Sequence, residues 1–72
     1  MVRIQDIENI IIQQGSHKYK LINKNNEWVF LDLENNEENG GYNKEDAYKV
    51  IVGVHSRIIS IPNKTKKYEL WK

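Results

Sequence analysis

At the start of the chain Ile4, Ile7, Ile10 and Ile11 recur at helical spacing, with Gln5, Asp6, Glu8 and Asn9 between them. That period predicts an amphipathic helix over Arg3–Gln14, with Gly15 ending it as a C′ residue in the left-handed region. Isoleucine is only a fair helix former, so packing must supply most of its stability. From His17 to Glu34 the pattern turns to strand-type residues on both sides of Asn23-Lys24-Asn25-Asn26. These four residues favour a turn, since asparagine tolerates positive φ and bonds its own backbone. The stretch therefore reads as a β-hairpin. In its second strand Val29, Leu31 and Leu33 share one face, and Trp28, Phe30 and Asp32 the other. In its first strand Tyr19 and Leu21 point one way, Lys18, Lys20 and Ile22 the other. The aliphatic set reads as the main core face. Trp28, Phe30 and Ile22 then lie beside lysines, covered by a second layer or exposed to a partner.

Asn35-Asn36-Glu37-Glu38-Asn39-Gly40-Gly41 is polar and acidic and reads as a loop. A second helix is expected over Asn43–Arg57. Asn43 can cap it, Glu45 and Asp46 suit its first turn, and Ala47, Val50, Ile51, Val54 and Ile58 form its stripe. The β-branched run Val50-Ile51-Val52 and Gly53 leave a strand open as the alternative for the second half. Ile58–Ile61 reads as a strand stopped by Pro62, Asn63–Lys66 as a turn, and Lys67–Trp71 as the returning strand. The expected fold is a single α+β domain over residues 1–72. Two β-hairpins form a small antiparallel sheet with two helices packed on it, in the order α-β-β-α-β-β.

Seventy-two residues give a thin core, and the chain has no cysteine to staple it. Residues 1–14 lack the basic start and apolar run of a signal peptide, and no stretch is long and apolar enough for a spanning helix. A cytoplasmic location, without membrane contact, is the expectation. The abundance of asparagine, isoleucine and lysine suggests AT-rich coding, as in a low-GC bacterium or its phages.

The net charge of +1 conceals strong segregation. Up to residue 26, Arg3, Lys18, Lys20 and Lys24 outweigh Asp6 and Glu8, for +2. From 27 to 46, Glu27, Asp32, Glu34, Glu37, Glu38, Glu45 and Asp46 face Lys44 alone, for −6. From 47 onwards Lys49, Arg57, Lys64, Lys66, Lys67 and Lys72 face only Glu69, for +5.

His17 and His55 lie on different elements without metal-site spacing, so no metal or other cofactor is expected. Ser16-His17 and His55-Ser56 are neighbours in sequence, which is not triad geometry. Asp32 and Glu34 could form a carboxylate pair, but no pocket is evident, and enzyme activity is not expected. The Gly-Gly pair lacks the rest of a phosphate-binding loop.

The favoured expectation is a small protein-binding module, of the kind a phage uses to inhibit or modulate a host protein. Its expected contact residues are Trp28, Phe30, Glu34, Glu37, Glu38 and Tyr42. Self-association through exposed hairpin edges belongs to the same expectation. The alternative is a nucleic-acid-binding surface at Lys64, Lys66, Lys67, Tyr68, Trp71 and Lys72, extended by Lys18, Lys20 and Trp28 if the two hairpins adjoin. A small-ligand pocket at an oligomer interface ranks third.

Overall fold

A computed structural model describes residues 2–62. The described residues form five strands and one α-helix in the order β1 (Ile11–Gln14), β2 (His17–Lys24), β3 (Glu27–Asp32), β4 (Glu38–Tyr42), α1 (Lys44–Ile51) and β5 (Arg57–Ser60). All strands lie in one antiparallel sheet of order β4-β3-β2-β1-β5. The first four make a meander. Helix α1 then crosses the sheet, so that β5 pairs beside β1 at the far edge.

This corrects the two-helix expectation. The segment expected as the first helix holds only a single 3-10 turn, Ile4–Asp6, before it extends into β1. Two features override the helical spacing. Ile10-Ile11-Ile12 is a β-branched run that suits a strand. Gly15-Ser16 forms a two-residue hairpin loop, since Gln14 pairs with His17 and Gly15 has φ +60°. The glycine thus turns a strand and caps no helix. Across Leu21 the pairing bulges: the Leu21 amide donates to the Ile10 carbonyl, and the Asn9 amide donates to the Leu21 carbonyl. Asn9 supplies the positive φ, +66°, that this bulge needs.

The β2–β3 hairpin forms as expected. Lys24 pairs with Glu27, leaving Asn25-Asn26 as a tight loop with both residues at positive φ, the I′ pattern. Its faces are the reverse of those expected. Leu21 lies opposite Phe30, and Tyr19 opposite Asp32, so the aromatic side is the core side. Val29, Leu31 and Leu33 share the other side with Ile22, Lys20 and Lys18. The stretch expected as a loop adds a strand, β4, whose Gly40 and Gly41 absorb a bulge at positive φ.

The second helix is real but short. Asn43 Oδ1 accepts the Asp46 amide at 2.8 Å as its N-cap, and the helix stops at Ile51. Val54, expected in the apolar stripe, is 95% exposed. Ile58 belongs to β5 and pairs with Ile12. The expected return strand, Lys67–Trp71, lies outside the described residues.

The core is a single cluster on the inner face of the sheet. Ile10, Ile12, Leu21, Trp28 and Phe30 pack under Ala47 and Ile51 of α1, with Val2 and Ile7 closing one side. The Tyr48 hydroxyl donates to the Val2 carbonyl at 3.0 Å and fixes the N-terminal segment to the helix.

Candidate functional site

A helix of eight residues cannot cover the inner face of five strands. Beside α1 it leaves a groove of about 230 Å³, lined by Ile12 and Gln14 of β1, Tyr19 of β2, Phe30 of β3, Asn39 and Tyr42 of β4, and Val50 of α1. Strand alternation places these residues there: Ile12 faces Tyr19 across β1–β2, and Phe30 faces Asn39 across β3–β4. Phe30 and Tyr42 meet edge to face, with ring centroids 5.6 Å apart. Tyr42 remains 38% exposed and presents its ring to any occupant. Gln14 Nε2 donates to Ser56 Oγ at 2.8 Å, which ties the groove to the segment before β5. The groove thus offers aromatic surface with two carboxamides to set orientation, a composition suited to a side chain or small molecule.

Carboxylates stand on the same side of the sheet. Asp32 follows Phe30 on the inner face, and strand alternation puts Glu37, whose carbonyl accepts the Asp32 amide, on the same side. Asp46 stands one helical turn before Val50. Asp32 is buried, and its Oδ1 accepts the amides of Glu34 at 2.9 Å and Asn35 at 3.3 Å. The Glu34 hydrogen bond does most to hold this carboxyl below the ordinary aspartate value of 3.8. The Asn35 bond and the nearby His17 act in the same sense, and burial opposes them. His17 Nδ1 lies 3.7 Å from Asp32 Oδ2, and the histidine is exposed. This pair closes a turn and presents no nucleophile. The Asp32–Glu34 carboxylate pair that the sequence allowed does not form: Asp32 instead accepts the Glu34 amide.

The structure brings only some of the expected contact residues together. Phe30 and Tyr42 line the groove, and Glu34 and Glu37 are exposed on the acidic turn nearby. Trp28 and Phe30 are 8% and 5% exposed, so the pair forms no open aromatic patch. Lys44 Nζ sits 5.7 Å above the Trp28 ring. Glu38 faces the opposite side of the sheet and pairs with Lys24 at 2.9 Å. Lys18 and Lys20 also lie on that side, turned away from Trp28. Lys64, Lys66, Lys67, Tyr68, Trp71 and Lys72 lie outside the described residues.

Gln14, Tyr19, Asn39 and Val50 were not among the residues expected at a site. The Gly15-Ser16 hairpin signal would have placed Gln14 and Tyr19 on adjoining strands.

A second hollow, of about 240 Å³, lies between Val2, Ile51, Val52, Ser56 and Ile58. Its one polar side chain is Ser56, whose hydroxyl already accepts from Gln14. Among the described residues no cluster of three or more histidines and carboxylates could hold a metal, and no helix is long and apolar enough to cross a membrane. No family model matches this chain, and no curated protein or solved structure is similar to it, so its function is read from the groove's own chemistry.

Proposed function

We propose that the protein is a small non-enzymatic binding module that captures another protein by taking one of its side chains into the groove beside α1. The observation that carries this reading is the groove itself: Tyr19, Phe30 and Tyr42 line it, Tyr42 with its ring exposed, and Gln14 and Asn39 supply hydrogen-bonding groups. Aromatic side chains that bury a partner's anchor residue dominate many interfaces. The exposed Glu37 and Asp46 on the groove side of the sheet favour a partner with a basic surface and speed its encounter. Covering such a surface is a direct route to inhibiting or modulating the partner, the role expected of a phage-type protein.

The test is affinity capture from a low-GC bacterial lysate treated with nuclease. The baits are the wild-type chain, Tyr42→Ala and Glu37→Lys. Both substitutions sit at exposed positions and should leave the fold intact, which circular dichroism checks. A protein held by the wild type and lost with both variants supports the groove. Equal capture by all three baits refutes it. Trp28→Ala is not a useful probe, since removing a buried tryptophan costs about 3–5 kcal/mol of stability by itself.

A further inference from the structure

The inner face of the sheet is partly covered by α1; no described element packs on its outer face. The strand register assigns the residues there. One row runs Arg57, Gln13, Lys18, Leu33, and the next runs Ile11, Lys20, Leu31, Glu38. Ile22 and Val29 form a third. Val29 is buried, and the Lys24–Glu38 ion pair joins the positions on either side of its row. Ile11, Ile22 and Leu31 are half-buried, and Leu33 is 41% exposed. The result is an aliphatic strip bordered by Lys18, Lys20 and Arg57, with Glu27 and the Lys24–Glu38 pair toward the β2–β3 turn. Lys24 is neutralised by Glu38, whereas Lys18, Lys20 and Arg57 have no carboxylate partner among the described residues.

We propose that this outer face is a second docking surface, and that its occupant is an amphipathic helix of another protein with carboxylates flanking its aliphatic stripe. Charge complementarity selects the flanks, because three unpaired cations border the strip. It also disfavours a second copy docked through the same face, which would set Lys18, Lys20 and Arg57 against their own kind. The spacing suits a helix. Strands lie about 4.8 Å apart, and a helix laid across them advances about 5.4 Å per turn, so successive turns meet successive strands. The inner face shows the same solution in cis, with the two turns of α1 covering Leu21 and Phe30. No described aromatic residue stands on the outer face, so its described residues offer no stacking platform for single-stranded nucleic acid. This surface is independent of the groove, on the other side of the sheet.

The experiment uses the full chain labelled with ¹⁵N and three synthetic peptides of about 18 residues, long enough for a helix. All carry the same leucine stripe at helical spacing, flanked by Glu, Gln or Lys. The Glu peptide should shift the amides of Ile11, Lys20, Ile22 and Leu31 and bind about tenfold tighter than the Lys peptide, with the Gln peptide between them. The double variant Lys18→Glu with Lys20→Glu should retain its melting behaviour and lose about tenfold in affinity for the Glu peptide. Equal affinity for the three peptides, no binding at millimolar peptide, or shifts confined to Asn39, Tyr42 and Val50 would overturn the proposal. So would failure of the Glu peptide to bind while an oligo-dT strand or a phosphatidylserine vesicle binds and is lost with the double variant.

Discussion

Asp32 ends β3 on the inner face, where its carboxylate receives the amides of Glu34 and Asn35 and so shapes the turn that leads into β4. Its pKa is lower in the folded protein than the ordinary 3.8. A carboxyl of this kind adds stability that is present above its unfolded pKa and is lost as pH falls through the folded value. Asp32→Asn keeps an oxygen that can accept the same amides but carries no charge. The variant should therefore fall furthest below the wild type near neutral pH, and the gap should narrow as pH drops below 3.8. Urea midpoints for both proteins at about pH 7 and about pH 3 check this, and a gap that stays constant would place the role of Asp32 in shape alone. The chemistry of single residues was the most legible part of the sequence. Asn25-Asn26 forms the turn that its tolerance of positive φ suggests. Gly15-Ser16 carried an equally clear hairpin signal, and the helical spacing of the isoleucines before it outweighed that signal.

The elements were legible where one pattern stood alone. β2 and β3 form near their expected bounds because strand residues and turn residues agree there. α1 begins where Asn43 was expected to cap it, because the cap, the first-turn carboxylates and Ala47 all favour the same start. Asn43→Ala should remove the hydrogen bond to the Asp46 amide and lower stability by about 1 kcal/mol, read as a shift in denaturation midpoint without a change in fold. The end of the helix was harder to read, because Val50, Ile51, Val54 and Ile58 keep helical spacing beyond the point where the chain unwinds at Val52. Period alone cannot separate a continuing helix from a turn followed by a strand. Here Gly53 and the β-branched neighbours decide it. β4 was hidden for a different reason: Glu38-Asn39-Gly40-Gly41-Tyr42 has poor strand propensity, and pairing with β3 supplies what the sequence lacks. Both edge strands are short and bulged, which limits the ladder that either can offer to a neighbouring chain.

For the whole molecule, the charge segregated along the sequence is only partly segregated between faces, since Glu38 of the acidic segment pairs with Lys24 on the outer face. Asp32, Glu37 and Asp46 stand on the groove side of the sheet, while Lys18, Lys20 and Arg57 border the aliphatic strip on the other. The groove could not be read from sequence, because it is assembled from four strands and the helix and depends on which face α1 covers. The connection that builds it also has a kinetic meaning. Each meander strand meets its neighbour through a short loop, whereas β5 reaches β1 only after α1 has crossed the sheet. The ties that secure this arm join distant residues: Gln14 to Ser56 across 42 positions and Tyr48 to Val2 across 46. Contacts between such distant residues pay a larger loop entropy and tend to form late. In native-state hydrogen exchange, β5 amides should therefore exchange through a partial opening while β2 and β3 amides wait for global unfolding. The arm carries Val50 and the Ser56 tether, so the groove is assembled and dismantled with it. A partner seated in the groove should slow exchange in β5, far from the residues it touches.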